Sequence, residues 1–305
     1  AIYGDRVKYA QGYAAGQPMY GSVNEIPQEV QDKLRAEAVA MAKDADVVIL
    51  VGGLNKNHLQ DCEGGDRQSY GLPFGQEKLI EELQAVNKNL VLVLLSGNAV
   101  EMPWIDKVPA IVQGWYLGSM GGKSIANVLS GKVNPSGKLP FSFPVKLTDN
   151  GAHSFDSLCY PGDGVKQVYK EDILVGYRWH DTKKIPAAFA FGHGLSYTTF
   201  EYGKAVASAK KMTADDQLEI SVKVKNTGAV AGKEVVQLYI GDDKSSVVRP
   251  LKELKHFQKI ALNPGEEQTV TFIVSADDLK YYDEATKDWK AEAGNFKAYI
   301  GSSSA

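Results

Sequence analysis

Apolar positions recur along this chain with two different periods, and the change between them divides it. In the first half, Glu29 to Lys43 carries Val30, Leu34, Ala38 and Met41 at helical spacing. Asp46 to Gly52 is an almost unbroken apolar run, the pattern of a strand buried on both faces. Pro73 to Val86 predicts a helix, with Pro near its start and Leu79, Ile80, Leu83 and Val86 on one stripe. Leu90 to Leu95 predicts a second buried strand, Pro109 to Trp115 a third, and Gly122 to Leu129 another helix. Strands alternating with helices predict a doubly wound, mostly parallel α/β sheet.

The period changes after the Pro-rich stretch Pro135 to Pro144 and the Gly-, Asp- and Ser-rich stretch Asn150 to Tyr169, which reads as a long structured loop. From about Thr199 no long helix is predicted. Leu218 to Val224 alternates strictly, and Val235 to Ile240, Leu254 to Leu262, Glu267 to Val274 and Asn295 to Ile300 read as further strands. Asn226 to Gly232 and Asn263 to Gly265 are turn chemistry between them. Short strands at this spacing predict a β-sandwich of immunoglobulin or fibronectin type III kind. The expected division is an α/β sandwich domain over residues 1–198 and an all-β domain over residues 199–305. The GSSSA tail reads as a partly fraying end.

Composition narrows the function without naming it. The chain has 305 residues, 44% hydrophobic and 23% charged, which excludes wholesale disorder and a disulfide mini-scaffold. No apolar run approaches the ~20 residues of a membrane span. A net charge of -3 without a Lys/Arg run argues against a nucleic-acid partner. Cys62 and Cys159 are either free or joined in one bond. The chain begins at Ala1 with no charged, apolar leader, so a preceding segment is expected.

The candidate chemistry lies in the loop from Gly53 to about Leu72, which leaves the carboxyl end of a parallel strand, where open α/β sheets bind ligands. Its DCEGGDR stretch holds Asp61, Glu63, Asp66 and Arg67, with Gly64 and Gly65 opening the backbone beside Glu63. The plain alternative is a solvated acidic turn with a surface ion pair. Gly121, Gly122, Lys123 and Ser124 suggest a phosphate loop, but Leu117 stands where that motif needs Gly, so a Gly-rich helix start is expected. Thr198 likewise removes the second Gly of a nucleophile elbow after Ser196. His58 and His153 fall in predicted loops and could line a site. Trp115 and Tyr116 end the third strand at the same sheet edge as Glu63, placed either to stack on a sugar ring or to plug an interface. Trp104, Trp179 and Trp289 read as structural.

From Glu63 onward the sequence resembles glycoside hydrolase family 3. EGGDR followed by LPFGQEKLI carries the resemblance, then LLSGNAVEMPW, VNPSGKLPFSFP, ILVGYRWHDT, FGHGLSYTTFEYG, RPLKELKHFQKIALNPGE and a final YIGSSS, in family order over nearly the whole chain. It departs from the family's common Pro-Gly-Gln-Glu-type stretch after Trp-Tyr, carrying Leu117, Gly118, Ser119 and Met120 instead. The resemblance implies a three-part enzyme of TIM-like barrel, α/β sandwich and fibronectin type III-like domain, of which this chain resembles the last two. It implies a retaining β-glucosidase acting on terminal β-D-glucosyl residues of oligosaccharides. The nucleophile would lie in a barrel outside this sequence, and Glu63 would be the general acid/base. Asp66, Arg67, His58 and Trp115 are the supporting residues expected near substrate, with Arg67 pairing with Asp66 to hold the loop. The family implies no organic cofactor and no metal, an N-terminal barrel as partner, and a secreted or periplasmic location. This chain alone would be inactive. The alternative is a non-catalytic carbohydrate-binding or scaffold module.

Overall fold

The computed structural model describes residues 4–15, 25–57, 59–65 and 67–305. They form two compact units, Ala1–Ser130 and Gly131–Ala305.

The first unit holds α1 (Gln28–Ala42), β1 (Val48–Gly53), α2 (Gln76–Val86), β2 (Leu90–Leu95), β3 (Ala110–Gln113) and α3 (Gly121–Leu129). The strands pair in parallel in the order β1–β2–β3, with Leu50 opposite Leu92 and Leu92 opposite Ile111. β2 is the core of the sheet, with Leu90, Leu92, Val93 and Leu94 fully buried. Helix α2 covers the sheet with Leu79, Ile80 and Leu83, three of the four predicted stripe residues, all buried. It starts at Gln76, because Phe74 (φ 61°) and Gly75 (φ 70°) are left-handed.

Helix α1 occupies the predicted residues but turns a different face inward. Gln31 and Arg35 are buried, while Val30 and Met41 are exposed. Polar pairing accounts for the rotation. The Gln31 amide accepts from Ala14 N–H at 2.9 Å and donates to Ala14 O at 2.7 Å, and Arg35 Nε donates to Glu82 at 3.2 Å. Buried polar groups with partners of this kind escape the desolvation cost that keeps such residues outside. Helix α3 begins at Gly121 as a Gly-rich start, and the Ser124 hydroxyl donates to Met120 O at 3.2 Å.

The second unit begins with irregular chain around β4 (Phe143–Pro144), α4 (Tyr177–Lys183) and β5 (Ala187–Phe189), with β4 paired to β5. The sandwich follows as β6 (Phe200–Tyr202), β7 (Val206–Ala207), β8 (Leu218–Asn226), β9 (Gly232–Asp242), β10 (Glu253–Leu262), β11 (Glu267–Val274), the short helix α5 (Ala276–Leu279), β12 (Tyr281–Asp283), β13 (Asp288–Lys290) and β14 (Phe296–Gly301). One sheet runs β10–β9–β14, and the other runs β11–β8–β6 with β7 beside β8. Alternation places Ile220, Val222 and Val224 of β8 and Val270, Phe272 and Val274 of β11 against Val236, Leu238 and Ile240 of β9 and Ile260 and Leu262 of β10. These interdigitated inner faces are the sandwich core.

The unit boundary lies well before the change from α/β to all-β composition, because the chain from 131 to 198 is hydrogen-bonded into the sandwich. Leu254 N–H donates to Tyr177 Oη and Leu251 N–H to Thr182 Oγ1, both at 2.8 Å, and Lys259 Nζ donates to Ser136 O at 2.9 Å. The tail is docked as well, with Ser304 buried and its N–H donating to Phe191 O at 2.8 Å. Trp104 and Trp179 are buried, but Trp289 is 62% exposed and packs edge-on against Tyr282 across the β12–β13 hairpin. Both thiols are free, with Cys159 buried and Cys62 half-buried.

Candidate active site

The loop from Gly53 to Leu72 leaves the carboxyl end of β1 and is fixed at its root by backbone geometry. Gly53 has φ 134°, and a Cβ there would fall 1.9 Å from Leu95 O. Only glycine permits this approach. The buried Gln76 side chain spans the same residue, accepting from Gly53 N–H at 2.7 Å and donating to Gly53 O at 2.8 Å. At the far end Leu72 N–H donates to Glu77 Oε1 at 3.0 Å in the first turn of α2. The loop is therefore anchored at both ends to one helix.

Glu63 stands at the tip of a turn closed by an antiparallel bridge between Cys62 and Gly65. Gly64 follows it at φ 76°, and nothing lies within 4 Å of a Cβ built there, so glycine serves the turn's conformation rather than its packing. Glu63 is exposed at this tip. Below it Asp61 binds three donors. Its Oδ2 accepts from Gly97 N–H at 2.7 Å and Tyr116 Oη at 2.5 Å, and its Oδ1 accepts from Asn98 Nδ2 at 2.6 Å. Gly97 and Asn98 follow β2, and Tyr116 follows β3, so Asp61 joins the loops from the carboxyl ends of all three strands.

Arg67 is fastened separately. Its Nη2 donates to Ala99 O at 2.6 Å, and the guanidinium lies 5.7 Å from the Tyr70 ring centroid. Burial lowers its pKa, a shift opposed by the negative charge of Asp61. Its predicted partner Asp66 lies outside the described residues, as does His58.

Trp115 and Tyr116 occupy the sheet edge predicted for them. Trp115 is half-buried with φ 56°, a left-handed conformation that is strained for a bulky residue and is a feature of functional sites. Tyr116 is 52% exposed while its hydroxyl donates to Asp61. Desolvation of that oxygen, then the Asp61 contact, hold its pKa well above the ordinary tyrosine value. His153 belongs to the second unit, in a single 3-10 turn, with its ring 4.6 Å from that of Tyr160. Burial lowers its pKa.

Among the described residues, the site presents one exposed carboxyl on a glycine turn, an aromatic ring beside its support, and a polar platform of Asp61, Gly97 and Asn98. The structure places Glu63, Arg67 and Trp115 in the loops at this sheet edge and adds Gln76, Gly97, Asn98 and the joining contacts of Asp61, which the sequence did not single out. A polar residue immediately before the turn and a Gln beginning the following helix are the only signals, and neither is distinguishable from a solvated residue by periodicity.

Comparison with known proteins identifies the family. The model of the glycosyl hydrolase family 3 C-terminal domain matches residues 1–197, and that of the fibronectin type III-like domain matches residues 234–304. The chain is 61% identical over 304 residues to beta-glucosidase BoGH3A of Bacteroides ovatus, covering 100% of this chain and 41% of that protein. It is 47% identical to thermostable beta-glucosidase B of Acetivibrio thermocellus, covering 90% of this chain and 36% of that protein. Among solved structures, DesR, a beta-glucosidase from Streptomyces venezuelae in complex with D-glucose, superposes with a TM-score of 0.84 at 38% identity, over 90% of this chain and 34% of that one. The Kluyveromyces marxianus beta-glucosidase in complex with glucose gives 0.81 at 41% identity, over 92% of this chain and 32% of that one. The chain spans well under half the length of each of these relatives. A family model that runs through the Glu63 loop and relatives that align over nearly every residue make this chain a member of glycosyl hydrolase family 3.

Proposed function

We propose that this chain supplies the general acid/base, Glu63, of a retaining β-glucosidase whose nucleophilic carboxylate lies in a barrel domain outside this sequence. The observation that carries the reading is an exposed carboxyl held at the tip of a supported turn, on the edge of the sheet where α/β domains present their chemistry. An exposed tip is suited to overhang a site completed by another domain.

Retaining hydrolysis requires two carboxyl groups about 5–5.5 Å apart. In the first step protonated Glu63 donates its proton to the glycosidic oxygen. The bond from that oxygen to the anomeric carbon breaks, the nucleophile forms a glycosyl ester, and the aglycone leaves as an alcohol. In the second step the Glu63 carboxylate takes a proton from water while the water oxygen attacks the anomeric carbon. The ester breaks, glucose leaves with its configuration retained, and Glu63 again carries a proton. The Tyr116 ring beside the turn offers a face on which a sugar or aglycone stacks. Oligosaccharide or β-glucoside substrates argue for a secreted or periplasmic enzyme.

The test is Glu63→Ala in the complete polypeptide, assayed on β-glucosides that differ in leaving-group acidity. Loss of the acid should lower turnover by roughly 10²- to 10⁴-fold on poor leaving groups. The loss should shrink as the leaving group becomes activated. Unchanged turnover on every substrate would refute the assignment, and sugar binding by this chain without any dependence of hydrolysis on Glu63 would favour a non-catalytic module.

A further inference from the structure

We propose that Asp61 is the positioning residue for Glu63, a carboxylate clasp that fixes the acid/base turn against the ends of β2 and β3. The inference rests on the reading of Glu63 as the acid/base and adds the part of the molecule that aims it.

Glu63 sits on a short turn closed by local contacts. Its bridge joins Cys62 to Gly65, and the Cys62 thiol reaches Gly65 O at 3.6 Å, so both contacts are internal to it. Proton transfer demands that the carboxyl on this turn be held in one geometry. Two residues earlier, Asp61 attaches the chain to groups outside the loop. Both carboxylate oxygens accept from groups outside the loop, Gly97 N–H, Asn98 Nδ2 and Tyr116 Oη, at 2.5–2.7 Å. These are the short distances of charge-assisted bonds. Its own N–H donates to Asn55 O at 3.0 Å, which closes the loop on itself just above the strand.

The receiving surface is shaped for this group. A Cβ at Gly97 would sit 3.0 Å from the Tyr116 ring and 3.1 Å from Asp61 Oδ2, so glycine leaves room for both. Gly97 does not have a left-handed φ, so a side chain there would act by wedging the clasp rather than by straining its own backbone. Asp61 also stands near enough to Arg67 for their charges to interact, which ties the clasp to the Ala99 anchor.

Asp61→Asn isolates this role. An amide preserves shape but replaces one acceptor oxygen with an N–H, which then faces the donors of that oxygen in either orientation. In the complete enzyme, kcat/KM for Asp61→Asn, Tyr116→Phe and Gly97→Ala is measured across β-glucosides of graded leaving-group acidity, with Glu63→Ala as reference. A misaimed acid should cost Asp61→Asn about 10- to 100-fold on the poorest leaving group, the cost of a displacement near 1 Å. On the most activated leaving group it should cost less than about 3-fold, since protonic assistance matters little there. Tyr116→Phe and Gly97→Ala should show the same split at smaller size, with melting midpoints near that of the parent. A uniform loss across all substrates, or no loss, alongside a clear split for Glu63→Ala would overturn the clasp and leave the acid/base reading standing. Absence of a split for Glu63→Ala itself would remove both. Should Asp61→Asn fail to fold, Tyr116→Phe decides the matter, and a flat profile for it refutes the proposal.

Discussion

The β-sandwich and the Glu63 loop are held by opposite means. In the sandwich, alternate side chains of β8, β9, β10 and β11 meet in one apolar layer. In the loop, position is set by a few polar attachments: Gln76 on Gly53, Asp61 on Gly97, Asn98 and Tyr116, and Arg67 on Ala99. Apolar burial is additive and non-directional, whereas each hydrogen bond specifies a direction and leaves a desolvated partner when it is lost. The sandwich is therefore held by burial and the loop by directed bonds. Substitutions in the first should cost folding energy, and substitutions in the second should cost turnover of a folded protein.

The largest effect on stability is expected in the sandwich. Leu238 is fully buried between the sheets, and Leu238→Ala should destabilise the chain by about 2–5 kcal/mol, read as a shift in denaturation midpoint. The leaving-group dependence of the complete enzyme should stay as in the parent, and a changed dependence would break the distinction between the two regions. A loss of stability with a functional consequence is expected at the loop root. Gly53→Ala combines a left-handed φ, itself costing roughly 1–3 kcal/mol, with a clash against Leu95 O that adds to it. It should also lower turnover on poor leaving groups, because the root of the Glu63 loop must shift. A loss of stability with turnover intact would show that the loop's aim does not depend on its root.

The smallest effect is a pH dependence of stability in the second unit. His153 and His193 both have pKa values lowered in the folded state by burial, with Lys138 adding to the effect on His193. Their unfolded value is near 6.5, so protons bind the unfolded chain first. Their contribution is complete above that pH and is lost as the pH falls below it. Replacing both with Asn should flatten the decline in denaturation midpoint between pH 7 and pH 5, and an unaltered slope would contradict the assignment.

Legibility in the sequence follows the same division. Strand β11 runs over the predicted Glu267–Val274 and β2 over the predicted Leu90–Leu95, because burial on a sheet imprints its period directly. Strands as short as Phe200–Tyr202 leave too few residues for a period to register. Helix α1 was legible in extent but not in orientation, because Gln31 and Arg35 are buried through partners distant in sequence, Ala14 and Glu82. In the site, the family resemblance singled out Glu63, yet the attachments that hold its turn were unreadable. Asp61 looks like any loop acid until the fold brings Gly97 and Tyr116 to it. The strain at Trp115 is likewise invisible in composition, being a property of φ alone.

The most direct measurement of the account is the product that Glu63→Ala forms from an activated β-glucoside in the presence of azide, in the complete enzyme. Azide needs no general base, so it should replace water in the second step, restore turnover and give the β-configured glucosyl azide by two inversions. Restored turnover with that β-azide would confirm Glu63 as the acid/base. Formation of the α-azide would make Glu63 the nucleophile instead, and failure of azide to restore any turnover would contradict its role as the base of the second step.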